Sequence, residues 1–438
     1  MRGGCDMSLQ RIFSLFLSNA ILLLGATALQ RAAALALIFF AAQRLSVVEF
    51  GTLAYVYTTA TTLSAFIADG FAAAILRFAR PGNESTEADP QVLTDFLLGA
   101  VCCAFFMALV VFGFASVAAE HDQILVALFA AAIAFLLALN GALFAVFSRH
   151  GKLRVAAPAS AVGSLVVLGF SLFATPQTPL WSHLLAAALG LGLTCLSFLA
   201  GLRFSSGMRF GKLSFHFPSL RNERLKFLWK TGVALALGGP VHWLCLSMLH
   251  GSSDGAEQVA VFALWFQWYL VLVFVPTTLI HMTLPWLSAA VEHAPRLFAR
   301  RVLILMGMGG AAGLALMLGV MELSGSILAF YPSAYAGSAN ALYLAVACGL
   351  MGGMAAILMH AYLALGKVTE NLLITLFYSS CYLILSAALV WHFKMGAQGL
   401  FIALLSSILL QFVCQALVLR NRAAALARRE SVESEVRT

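Results

Sequence analysis

Arg31 stands deep inside an apolar run that extends from about residue 17 to about residue 42. Its guanidinium presents donors in a planar fork that grips a carboxylate or a phosphate with two parallel hydrogen bonds, and hydrocarbon cannot solvate it. At about 100° per residue, Asn19, Gln30, Thr27 and Arg31 fall near 0°, 20°, 80° and 120°, on one side of a helix. Two chemistries fit that pattern. One is a structural ion pair, or a bond to backbone carbonyls of a neighbouring helix; the other is a cation in a water-filled cavity that meets an anionic ligand.

Other polar residues repeat at helical spacing. Tyr55, Thr58, Thr62 and Asp69 lie within about 60° of one another and form a stripe. Asp69 either pairs with Arg31 or Arg77, helps gate the inner mouth, or is a helix-end carboxylate at headgroup level. Gln267, Thr278 and His281 form a similar stripe, with Trp265, Trp268 and Tyr269 on the outer turns. Those aromatics serve either as faces for sugar rings or as an interfacial belt.

His242, His281 and His360 also sit inside apolar runs. Each alone reads as an interhelical hydrogen-bonder, and as a set they are the candidates for carrying a proton, since the second half has no Asp or Glu at mid-run. Pro240, after Gly238-Gly239, and Pro276 interrupt their runs and suit a hinge. Tyr378, Ser379, Ser380, Ser407, Gln411 and Gln415 either line a groove for a long apolar tail or pack as ordinary amide and hydroxyl contacts between helices. The eight cysteines include no Cys-x-x-Cys pair, so neither a metal site nor a disulfide framework is signalled.

The elements that position these residues follow from composition. Of the 438 residues, 62% are apolar and 10% charged, with mean hydropathy +0.94, whereas soluble chains run near 25% charged. That pattern identifies an integral membrane protein. Twelve apolar windows have the ~20 residues needed to cross a bilayer, and their length makes them helices rather than barrel strands. Their approximate limits are 17–42, 51–74, 92–117, 123–147, 155–175, 181–203, 228–250, 258–285, 302–323, 338–365, 369–392 and 397–419.

Charge sets the expected orientation. Of the 26 Lys and Arg, all but Arg31 in the first span and Arg44 and Lys394 in gaps on the second face lie on one face, which the positive-inside rule makes cytoplasmic. Both termini are then inside. The net charge of +8 thus follows topology and does not point to nucleic acid. The first apolar run outlasts the 7–15 residues of a signal-peptide core, which argues against cleavage. The expected organisation is a six-helix bundle over 1–203, a basic cytoplasmic linker over 204–227 too short to fold as a domain, a second bundle over 228–420, and a solvated, frayed tail over 421–438. An even number of spans per half gives both halves one orientation, so a repeat would be parallel.

Leu45-Ser-Val-Val-Glu49-Phe50-Gly51, followed by Asp69-Gly70-Phe71 and Arg77, resembles the second-helix entrance of lipid-linked oligosaccharide flippases, the polysaccharide-export branch of the MOP superfamily that also holds the MATE multidrug exporters. Glu257 to Ala260, Val275-Pro276 and Leu284-Pro285 resemble the corresponding stretch of the second half. The resemblance implies a V-shaped, all-helical pair of six-helix bundles that moves a polyprenyl-pyrophosphate-linked glycan from the cytoplasmic to the outer leaflet of a bacterial inner membrane. It also implies alternating access driven by a proton or sodium gradient without a bound cofactor, and association with other polysaccharide-assembly proteins. On that reading Asn19, Gln30, Arg31, Thr58, Thr62, Asp69, Gln267 and His281 face the cavity, with Arg31 on the pyrophosphate. The chain departs from the family pattern at Ser46-Val47, where Gly-Pro is common, and at Val241-His242-Trp243-Leu244-Cys245, where an acidic residue is often found.

Three alternatives are kept. A cation-extruding drug antiporter of the same superfamily would want mid-membrane carboxylates, where this chain has Arg31. A peptidoglycan-precursor flippase usually has two further spans. A membrane polymerase or ligase needs a large outer loop bearing catalytic residues, and the outer gaps here are short.

Overall fold

The computed structural model describes residues 25–26, 28–78, 90–118, 124–149, 152–204, 237–293 and 295–437. Among them every regular element is helical. In chain order the helices are α1 (residues 25–44, with 27 not described), α2 (Val47–Phe78), α3 (Pro90–Ala118), α4 (Ile124–Arg149), α5 (Leu153–Phe173) and α6 (Leu180–Phe204). Then follow α7 (Gly238–His250), α8 (Gly255–His293), α9 (Pro295–Glu322), the short α10 (Ser324–Ala329), a 3₁₀ turn (Ser333–Ser338) and α11 (Ala339–Ala364). The chain closes with α12 (Val368–Ala387), a π turn (Ala388–His392) and α13 (Gly396–Arg437). Each of the twelve expected spans has a helix at its place, and among the described residues nine helices are long and apolar enough to cross a membrane. The others at expected spans are α1 and α7, with shorter described stretches, and α2, whose middle is rich in Tyr, Thr and Ser.

The residues that resemble the family's second-helix entrance have a local physical role. The Ser46 hydroxyl donates to the Glu49 carboxylate at 2.7 Å, as does the Ser46 N–H at 3.0 Å, and the Glu49 N–H donates back to Ser46 Oγ at 3.3 Å. This is a capping box, in which the first turn's orphan donors are satisfied reciprocally. It accounts for Ser46 as the start of α2.

The chain divides into two compact units, Met1–Pro240 and Val241–Thr438. In the first, α4 packs against α2, α3 and α6, and α5 packs against α6. Ile67, Phe71, Ile75, Leu93, Ala138 and Val146 form one core, and Leu143, Phe147, Cys195 and Phe198 another. The α5–α6 crossing is so close at Gly163 and Gly190 that a Cβ on either residue would run into the other's backbone carbonyl. Arg44, at the end of α1, donates to the carbonyl oxygens of Ser171 at 2.6 Å and Leu172 at 3.3 Å and covers the Phe40 ring. A cation at the carbonyl end of α5 satisfies groups the helix cannot pair internally.

In the second unit α8 packs chiefly on α11, and α13 on α11 and α12. Two expectations are revised here. The 421–438 tail is not frayed: α13 continues through it to Arg437, as befits its Ala, Arg and Glu content. Pro276, the expected hinge, lies within α8, and the expected reading is revised only in that the helix continues on both sides of it. The expected linker falls, Phe204 apart, outside the described residues.

Candidate functional site

In the first unit the candidate site is built on α1 and α2. Arg31 and Gln30 are exposed on α1, while Ala33, Leu37 and Ala41 on its other side are buried. Among the described residues Arg31 has no carboxylate partner. It lies near the half-buried Tyr57 of α2. Lipid is a costly surrounding for a guanidinium along an apolar span.

The stripe on α2 is present, although its members differ in availability. Tyr55 is buried, Thr58 and Thr62 are half-buried, and Asp69 is exposed. The Thr62 hydroxyl donates to the Thr58 carbonyl at 2.6 Å and so retains acceptor capacity for a ligand, while the buried Thr59 hydroxyl donates to the Tyr55 carbonyl at 2.7 Å. Asp69 lies twelve residues beyond Tyr57, about 18 Å along α2 at 1.5 Å per residue. The pairing of Asp69 with Arg31 weighed from the sequence does not form. Asn19 and Thr27 lie outside the described residues, as do the side chains of Arg77, Thr278 and His281.

The second unit holds a cluster that spacing alone did not announce. His242 on α7 stacks on Phe266 of α8, with centroids 4.6 Å apart and rings 20° from parallel, and its Nδ1 shares a hydrogen bond with the Tyr382 hydroxyl of α12 at 3.2 Å. Phe266 stacks on Tyr269, Tyr382 on Tyr378, and Phe262 on Phe401 of α13, so one aromatic layer links four helices. The available signal was the four-residue spacing of Phe262 with Phe266 and of Tyr378 with Tyr382, which places each pair on one helix side. His360 is buried, and its Nδ1 lies 2.8 Å from the Ala356 carbonyl one turn back, so it is held by its own helix. Gln267 is half-buried and donates to the Ala263 carbonyl at 3.3 Å.

The outer-turn aromatics are neither a belt nor a sugar platform in the case of Trp265, which is fully buried. Its indole N–H donates to Ser338 Oγ at 2.7 Å, Ser338 donates to the Tyr335 carbonyl at 2.6 Å, and Tyr331 meets the indole edge-on. A buried indole needs such a partner. Burial pushes the Tyr331 hydroxyl up to about 12, against the lowering effect of its hydrogen bond with Trp268. Pro276 is buried against α11, where a Cβ on Gly353 would come within 2.6 Å of its Cγ. Pro240 falls in the first turn of described α7, where its missing N–H is tolerated. Among the polar residues of α12 and α13, Ser407 and Ser380 donate to carbonyls of their own helices, and Ser379 and Gln415 are buried. Among the described residues no group of His, Cys, Asp and Glu is placed to hold a metal ion.

With this geometry in place, the fold finds clear counterparts. The chain superposes on the inward-facing conformation of a multidrug resistance MATE family transporter of the MOP superfamily with TM-score 0.75, covering 91% of this chain and 96% of that one at 16% identity. An outward-facing conformation of such a transporter gives TM-score 0.70 over 94% and 96%, at 17% identity. The fold is therefore that of the MOP transporters, in an all-helical multi-pass membrane protein. Residues 16–291 match the family described as polysaccharide biosynthesis protein, and the chain belongs to that family. It is 29% identical to the EPS I polysaccharide export inner membrane protein EpsE of Ralstonia nicotianae, over 94% of this chain and 95% of that one. These likenesses are to transporters and export proteins, so the polymerase and ligase alternatives find no support.

Proposed function

We propose that this chain is a flippase that translocates a polyprenyl-pyrophosphate-linked oligosaccharide from the cytoplasmic to the outer leaflet by alternating access, coupled to an ion gradient. The observation that carries this reading is Arg31, exposed on α1 deep within an apolar span, beside Tyr57, with no carboxylate partner among the described residues. Its function is to offset the charge of a pyrophosphate in a water-filled cavity, where a fork of donors fits phosphate oxygens. Gln30, Thr58 and Thr62 of the same unit add amide and hydroxyl groups. A cation-extruding antiporter would place a carboxylate where this chain has a guanidinium. Membership of a polysaccharide-biosynthesis family and likeness to a polysaccharide export protein support a glycan as the cargo.

The resident membrane on this reading is the bacterial inner membrane, with both termini cytoplasmic. For coupling, His242 is the leading candidate, because its ring nitrogen shares a hydrogen bond with a tyrosine of another helix. Pro240 and Pro276 remain the hinge candidates. The test is translocation of a labelled polyprenyl-pyrophosphate sugar in proteoliposomes. Arg31→Ala is expected to lower the rate at least tenfold, equivalent to about 1.4 kcal/mol, and Arg31→Lys to retain part of it. Parental rates in both variants would remove Arg31 from the mechanism.

A further inference from the structure

A cavity of about 330 Å³ opens in the second unit between the α7–α8 and α12–α13 connections, lined among others by Ser252, Ser253, Asp254, Trp391 and Lys394. We propose that it is a saccharide-binding site at the outer mouth, which engages the sugar portion of the cargo. This rests on the flippase reading for its cargo and for the side of the membrane it faces. Its size is at the small end of ligand pockets, and its wall combines one large aromatic ring with hydroxyl, carboxylate and ammonium groups.

The arrangement is built rather than incidental. Trp391 is 56% exposed, yet its indole N–H donates to the Met248 carbonyl at 3.1 Å, which fixes the ring. A belt tryptophan would turn that N–H to water or headgroups. The ring sits on the π turn that ends α12, and π turns cluster at functional positions because they re-aim side chains. Three residues on, Lys394 has φ 51°, a left-handed backbone that an L residue with a long side chain rarely adopts. The surrounding chain holds it there: the Phe393 N–H donates to the Ala388 carbonyl at 3.0 Å and the Met395 N–H to the Leu389 carbonyl at 2.9 Å. From the opposite wall Gln258 Oε1 accepts the Ala397 N–H at 2.9 Å.

The chemistry of this wall matches a pyranose. A flat aromatic face receives the C–H side of a sugar ring, and the Asp254 carboxylate and the Ser252 and Ser253 oxygens accept its hydroxyl protons. Lys394 is an exposed residue whose ammonium suits an acidic substituent such as a uronate. Together these groups would draw the glycan off the translocation path and bias its release outward.

The test uses the full chain in lipid nanodiscs and oligosaccharides released by mild acid from the exopolysaccharide of the cell that makes it, followed by saturation-transfer NMR and titration. Binding by the parent is expected, weakened at least tenfold by Trp391→Ala and little changed by Trp391→Phe. Lys394→Met is expected to weaken only acid-bearing oligosaccharides. Absence of binding by the parent, or equal binding by Trp391→Ala, would overturn the site. Translocation measured in parallel separates the two readings. Failed oligosaccharide binding with intact translocation overturns the pocket alone. Binding that depends on Trp391, in a chain that translocates nothing, upholds the pocket and removes the flippase reading.

Discussion

On the proposed reading a guanidinium and an imidazole set the chemistry, and they differ in how they are held. Arg31 is exposed with a tyrosine nearby, whereas His242 is wedged among aromatic rings with one hydroxyl partner. If His242 carries the coupling proton, His242→Gln should flatten the pH dependence of translocation. Tyr382→Phe, which keeps the ring and removes the hydroxyl, should displace its midpoint. Profiles superimposable on the parent's in both variants would take the pair out of the coupling step. That Arg31 needs a polar surrounding was legible in the sequence, because an arginine in an apolar run is costly in lipid, whereas the choice between protein and water was left open. Tyr57 was not, since it falls about 100° from Thr58 around α2 and so off the stripe. The place of Trp265 was hidden as well: its partner Ser338 belongs to a 3₁₀ turn too short to leave a periodic signature.

At the scale of elements, helix positions were the most legible feature, because each span must be about 20 apolar residues long whatever its neighbours are. Close contacts were less so. Gly349, Gly352 and Gly353 on α11 lie against Tyr269, Leu272 and Pro276 on α8, where a Cβ at Gly349 would come within 2.7 Å of Leu272 Cβ. Small residues at such crossings let backbones approach and supply the packing that hydrophobicity cannot supply between helices in lipid. Gly353→Leu is expected to destabilise the second unit by about 1–3 kcal/mol through overpacking. Thermal unfolding in detergent is the check, and an unshifted midpoint would mean the seam tolerates separation. The helical course of the tail was read wrongly because its mixed charges suggested a solvated end. Its alanines and arginines favour a helix continuous with α13.

For the whole molecule, the Lys/Arg asymmetry makes the sharpest forecast. A membrane-impermeant maleimide added outside cells should label Ser253→Cys and leave a cysteine placed at Thr438 unlabelled; the reverse pattern would invert the topology. The central claim is that a positive charge at position 31 faces water and acts on the cargo's phosphates. Arg31→Cys tests it most directly, in proteoliposomes carrying a labelled polyprenyl-pyrophosphate sugar. Translocation should fall in Arg31→Cys, recover in part when the thiol is given an ammonium by a cationic methanethiosulfonate, and stay low with the sulfonate reagent. Equal rates with both reagents, or a thiol that neither reagent reaches, would contradict the account.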